Sequence, residues 1–324
     1  MTNFDRTMTV ISVDSHYLGL MRAVSFESRD RTMNWPGSAA FALTHLAVLG
    51  AIWTGVTWQA AVTCAVLFFV RLWGVTAGYH RYFSHRTFKT SRVFQFVLAF
   101  LAQTSAQKGA LWWAAHHRRH HKHSDQEGDL HSPEREGFWF SHMGWLFVER
   151  SEQTDFARIK DFAKYPELVW LNKWYLVPPT ILAVATLWLF GGSGLFIGFF
   201  LSTVLLYHAT FTINSLSHVF GNRRFETTDT SKNNFWLALL TLGEGWHNNH
   251  HYYQSSARNG FYWWEVDLTY YGLKVLSWLG IVWDLRPVPQ RVLDEGRRLD
   301  AGLEPAGEAH VPTPSTPPPE QLAA

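Results

Sequence analysis

Four apolar stretches, arranged as two closely spaced pairs, constrain this chain more than any other feature. The first pair covers about residues 39–55 and 58–79, and the second about 175–190 and 195–217. Each approaches the roughly 20 residues that a helix needs to cross a bilayer. Only Val56-Thr57 separates the first pair, and only Gly191-Gly192-Ser193-Gly194 the second; neither turn carries a charge. Nearly all Lys and Arg fall in residues 1–37, 81–173 and 220–299, so those segments are expected on one side of the membrane. The positive-inside rule makes that side cytoplasmic.

The expected architecture is therefore all-α and integral to the membrane, with four transmembrane helices in two hairpins and cytoplasmic termini. Residues 80–174 and 218–296 would form a cytoplasmic helical cap, completing one domain over 38–296. Residues 1–37 form an N-terminal segment, and 297–324, Pro-rich after Val311, a disordered tail. Val93–Gln107 and Asn233–Trp246 read as helices lying at the interface. Arg71 interrupts the second span, which is costly unless it faces protein or water, or the helix has left the bilayer there.

Composition narrows the chemistry. The 17 Trp suit elements at a bilayer interface, and a net charge of +2 is too small for a nucleic-acid surface. Cys64 is the single cysteine, which excludes an internal disulfide and a cysteine-held iron–sulfur cluster. Asp5, Asp14, Glu27 and Asp30 interrupt any apolar run of a signal peptide, so none is expected.

Histidine is the outlier, at 17 residues in clusters. His80 and His85 follow the second span, and His117, His120 and His121 follow the interfacial helix. Asn214 and His218 close the fourth span, and His247, His250 and His251 come last. Residues at i, i+3 and i+4 of a helix share a face, so each segment can aim two or three imidazoles at one point. Nine imidazoles and an amide exceed what one metal can use, which implies two metal ions. Imidazole suits Fe, Zn, Cu or Ni. With no carboxylate evident among them, the set differs from ferritin-like bundles and from hydrolytic zinc sites with a carboxylate base. The flanking His116 and His123, and His16, His45, His131, His142, His208 and His310, receive no role.

The motifs Gly-Tyr-His-Arg-Tyr-Phe-Ser-His-Arg at 78–86, His-Arg-Arg-His-His-Lys at 117–122, Asn-Ser-Leu-Ser-His at 214–218 and Gly-Glu-Gly-Trp-His-Asn-Asn-His-His at 243–251 resemble those of membrane fatty-acyl desaturases. Gly-Phe-Trp-Phe-Ser-His-Met-Gly-Trp at 137–145 resembles the family stretch after the second box. The likeness covers about residues 38–290 and is strongest to the Δ9 acyl-CoA (stearoyl-CoA-type) enzymes of the bacterial branch. It implies a cap holding two irons, with O2 as co-substrate, in a bacterial inner membrane. It also implies the ligands His80, His85, His117, His120, His121, His218, His247, His250 and His251, with Asn214 reaching one iron through a water.

The implied reaction places a cis double bond, at Δ9, in a saturated acyl chain. Its regioselectivity would come from a bent apolar tunnel, with residues 94–113 and 261–264 as candidate walls. No Rossmann or haem-attachment motif is present, so two electrons must come from cytochrome b5, ferredoxin or a ferredoxin/NAD(P)H reductase. Eukaryotic acyl-CoA members carry Trp-Ala-Arg-Asp-His where this chain has Trp113-Ala114-Ala115-His116-His117. Acyl-CoA is the first expectation for the substrate, with Lys108, Arg118, Arg119 and Arg150 as head-group candidates, and a phospholipid-bound acyl chain is the alternative. A membrane di-iron fatty-acyl hydroxylase is a further rival, distinguished by an alcohol product. A metal transporter is a remoter one, since it would want more ionisable residues along the spans.

Overall fold

The computed structural model describes residues 31–303, and these are mostly helical. In chain order the helices that position the site are α1 (Trp35–Thr54), α2 (Trp58–Ser84), α3 (Arg92–Gln103) and α4 (Ala110–His123). They continue with α5 (Val177–Ser193), α6 (Ser202–Asn214), α7 (His247–Tyr252) and α8 (Gln290–Asp300). Among the described residues, three helical runs are long and apolar enough to cross a membrane: α1, α2 and the 43-residue run Val177–Val219 that contains α5 and α6. That run is not one rod. Gly191 takes φ 63°, ψ −157°, a conformation open to glycine and strained for other residues. A Cβ on Gly194 would lie 2.4 Å from the carbonyl oxygen of Thr186, a contact impossible in a straight helix.

Local chemistry sets the helix starts. The Asn34 side chain accepts from Gly37 N–H with Pro36 in the first turn of α1, and Thr57 and Ser91 cap α2 and α3 in the same way. Gly55 ends α1 at φ 70°. The two glycine-bearing turns meet, because Thr57 N–H donates to Ser193 Oγ at 3.1 Å. Outward side chains of α1 and α5, including Leu43, Ile52, Trp53, Val184 and Trp188, are exposed. So broad an apolar surface suits lipid and not water.

The main core lies where α2, α3 and α4 meet helix Pro166–Lys173, through Tyr79, Phe83, Leu98, Ala102, Leu111 and Leu171. Burial of Phe83, Leu98, Leu111 and Leu171 contributes about 1.5–3 kcal/mol each. A two-stranded antiparallel ribbon, β1 (Lys89–Thr90) with β2 (Val282–Trp283), pairs Lys89 with Trp283 and ties the chain after α2 to the C-terminal part.

Several expectations are corrected. The second helix does not end near residue 79; α2 runs on to Ser84 with wider π-type turns from Gly74. The helix expected over 93–107 ends at Gln103, because Ala106 and Lys108 take positive φ. Of 233–246 only Phe235–Leu240 is helical, before turns at Leu242 and Gly243. The tail expected from 297 does not begin there: α8 continues to Asp300, which accepts from Arg224 Nε at 2.9 Å. Residues 304–324, with His310, and 1–30, with His16, lie outside the described residues.

Arg71 faces protein. It is 1% exposed and donates to Leu67 O, Thr104 O, Thr203 Oγ1 and Ser202 Oγ at 2.5–3.1 Å. These bonds satisfy a charge that would otherwise be prohibitive at that depth.

Candidate metal centre

Two histidine clusters lie side by side above the apolar helices. In the first, nitrogens of His80, His85, His117, His121 and His250 all fall within 4.8 Å of one another, as do those of His120, His218, His247 and His251 in the second. Each i, i+3, i+4 triplet is divided between the clusters. On α4, His117 and His121 face the first and His120 the second; on α7, His250 joins the first and His247 and His251 the second. Helix periodicity explains the split, since neighbours in sequence diverge by about 100° around the axis.

His80 and His85 are five apart, a spacing that diverges on an α-helix. The π-type turns bring them together, with His85 N–H donating to His80 O at 3.2 Å. Such widened turns occur often at functional sites. His218 sits on the short turn Leu216–Val219 after α6.

Carboxylates stand behind the rings. Nδ1 of His120, His218 and His251 lies 3.1, 3.0 and 2.6 Å from Asp129, Asp125 and Asp229. His80 Nδ1 meets Glu244, whose other oxygen takes Arg81 Nη2 at 2.9 Å. A carboxylate can only accept here, so each Nδ1 carries the hydrogen and each Nε2 presents its lone pair to the cluster. Burial raises Asp125, Asp129, Asp229 and Glu244, but their partner imidazoles and hydrogen bonds outweigh it and leave all four below the ordinary carboxylate range.

Burial first, then neighbouring imidazoles, pushes His85, His117, His121, His247 and His250 well below the ordinary histidine pKa. His120 is the exception: burial lowers it, but Asp129 more than offsets this and raises it. Neutral imidazole is the form that binds a metal.

The first cluster also fits a cation by its contacts. Nε2 atoms meet in the chain His80–His250, His250–His121, His121–His117 and His117–His85, at 3.0, 3.0, 2.9 and 2.9 Å. A ring nitrogen offers either one N–H or one lone pair, hence one partner. At most two of these four contacts can therefore be hydrogen bonds; a shared cation removes the conflict. Metal–nitrogen bonds of about 2.1 Å put adjacent nitrogens about 3.0 Å apart in octahedral arrays and about 3.4 Å in tetrahedral ones. The observed spacings match the former, and five imidazoles exceed the four ligands of a structural zinc site.

A cavity of about 430 Å³ reaches this centre, lined by His117 and Asn214 and walled by Phe41, Trp112, Trp113, Tyr207 and Phe211. His116 and His131 also line it, pushed down by burial to about 4 and about 3. Of the expected aromatic walls, 106–113 contributes, while Phe261 and Tyr262 pack instead with Phe225 and Val292 of α8.

Of the head-group candidates, Lys108 lines the cavity. Arg118 is held bidentately by Asp161 and by the carbonyls of Phe83, Ser84 and Arg158. Arg119 Nε donates to Gly128 O at 2.8 Å, and the Arg150 guanidinium lies 5.9 Å from the Phe140 ring centre.

Sequence reasoning missed the four carboxylates, because it looked for direct ligands. The available signal was proximity: Asp125 and Asp129 follow the second histidine group and Glu244 precedes the last.

Comparison with known proteins agrees with this geometry. The family model for fatty acid desaturases matches residues 56–275. The chain is similar to an sn-1 stearoyl-lipid 9-desaturase of Anabaena variabilis, 37% identical over 257 residues, covering 78% of this chain and 94% of that protein. It is similar also to an sn-2 palmitoyl-lipid 9-desaturase of Nostoc sp., 35% identical over 64% of this chain and 74% of that one. An acyl-CoA C20 Delta5-desaturase of Anemone leveillei is 37% identical, with 73% and 76% covered.

Proposed function

The chain belongs to the fatty acid desaturase family and is a desaturase, an oxidoreductase of lipid metabolism, and from that premise we propose that it places a cis Δ9 double bond in a saturated acyl chain carried on a membrane lipid. The observation that carries this reading is the cavity of about 430 Å³ lined by His117 and Asn214 beside the paired clusters. Its size falls within the roughly 300–1,000 Å³ of small-molecule sites.

His80, His85, His117, His121 and His250 would hold one iron, and His120, His218, His247 and His251 the other, with Asn214 bound through a water. Two irons there would supply the O2-dependent removal of two hydrogens from adjacent methylenes, which no side chain can perform. The protein's own part is positional. Asp125, Asp129, Asp229 and Glu244 fix the ring tautomers, and Trp113, stacked on His117 with ring centres 4.9 Å apart, walls the cavity at the first cluster. The apolar wall excludes water, so the oxidising chemistry meets the chain alone.

We read the membrane part as four crossings in two hairpins, since Gly191 breaks the long run and the glycine turns carry no charge. The histidine centre and both termini are then cytoplasmic, in a desaturase domain over 38–296, and an external cytochrome b5, ferredoxin or reductase supplies electrons. Acyl-CoA is the second reading, favoured by the Anemone relatives.

The test is expression in a desaturase-deficient host, with mass spectrometry of product chains and elemental analysis of the purified protein. A C9 alkene and about two irons per chain are expected. A hydroxylated product, or one zinc per chain, overturns the reading.

A further inference from the structure

The cavity differs chemically along its length. His117 lies two turns along α4, whereas Lys108 precedes that helix and shares the cavity wall with Asn34, Glu152 and Tyr175. Lys108 Nζ is 2.7 Å from both Glu152 oxygens and 4.9 Å from the Tyr175 ring centre. Asn34 Nδ2 donates to the same carboxylate. The result is a polar collar without net charge.

Next to that collar the cavity reaches the outer surface. Its exposed lining residues are Pro36, Ala40 and Leu176, at the starts of α1 and α5. Farther along those helices the outward side chains Leu43, Leu46, Ile181 and Val184 are exposed and apolar. The opening therefore faces the belt that suits lipid, at the level where helices begin and Trp35 and Trp174 stand exposed. Exposed tryptophans mark a membrane interface.

We propose that the slot between the first turns of α1 and α5 is a lateral portal. Through it an acyl chain still esterified to a membrane glycerolipid slides into the cavity, and its ester group stops at the Lys108–Glu152 collar. The inference rests on the proposed lipid-borne substrate and adds the route by which that substrate enters and the contact that stops it. A carrier with several phosphates meets a lysine already neutralised by Glu152. An uncharged ester needs only a hydrogen-bond donor, which the collar has in the second N–H of Asn34 Nδ2 and the hydroxyl of Tyr175, while Lys108 is held by Glu152 and Tyr175.

The experiment uses the full chain in nanodiscs of phosphatidylcholine whose stearoyl chain carries a mid-chain diazirine. Irradiation is expected to crosslink this lipid to α1 and α4, a readout that needs no turnover. Ala40→Trp, which plugs the portal, should cut labelling at least ten-fold, and Leu176→Trp on the facing helix is the second plug if the first does not reach the membrane. Labelling unchanged in a membrane-inserted plug variant overturns the portal. Glu152→Gln unmasks Lys108 and should shift the ratio of stearoyl-CoA to stearoyl-phosphatidylcholine desaturation at least five-fold toward CoA; an unchanged ratio overturns the collar. Iron-loaded wild type that desaturates stearoyl-CoA and not the lipid sinks this inference and the lipid carrier of the proposed function, and leaves the desaturase activity itself intact. Desaturation of neither sinks that reading instead.

Discussion

The two histidine clusters use one residue type and share helices α4 and α7, yet they differ in what stands behind the rings. In the second cluster three of four imidazoles rest on aspartates, and all four are buried. In the first, His80 rests on Glu244, and His85, His117 and His121 are only partly buried. Three anions make the second site electron-rich and rigid, since a carboxylate behind an imidazole raises its basicity and fixes its orientation. The first site touches the cavity through His117. One site is anchored and the other is open, which suits a pair in which a single member meets the substrate.

That contrast can be broken most directly at the ligands. His250→Ala in the open site and His120→Ala in the anchored one should each reduce desaturation below detection, at least about 100-fold. Membrane insertion should be retained and iron content should fall from about two toward one per chain. Full activity in either variant rejects its place in the centre.

Next come the carboxylates. Asp125→Asn, Asp129→Asn and Asp229→Asn allow the wrong tautomer, and each should weaken metal binding about 10–100-fold, measured against a competing chelator. Glu244→Gln should release metal from the open site while the anchored one stays filled. Equal loss from both sites would dissolve the distinction between them.

Chelation of the wild type offers a gentler comparison. Release should be biphasic, the first iron leaving several-fold faster because its site is partly accessible. A single phase would mean that the pair behaves as one unit. The smallest effect is expected at His131, which lies with His120 and Asp129 within 4.8 Å and could compete as a ligand. If its role is packing against Trp145, 4.9 Å away between ring centres, His131→Ala should keep two irons and lose activity only about two- to five-fold. Loss of an iron would move His131 into the ligand set.

Much of this was legible in the chain. Apolar length, the uncharged turns and the clustering of histidine are local properties, and local properties survive reading one residue at a time. The division of His117, His120 and His121 between two sites was not legible. Spacing says only which residues lie near one helix face; which neighbour a ring meets depends on the helix opposite. The same limit hid Asp229, which reaches His251 across 22 residues of chain, and the π-type turns that join His80 to His85. It also misplaced 261–264, of which Phe261 and Tyr262 belong to the packing of α8 and Trp263 and Trp264 are exposed.

The sequence by itself determined a helical membrane protein with enough imidazoles for two metals, because hydropathy and residue chemistry do not depend on partners. Only the tertiary structure decided which rings share a cluster, which carboxylates stand behind them, and that Arg71 is satisfied inside the protein. Each of these is a contact between segments distant along the chain, and such contacts exist only once the helices have packed.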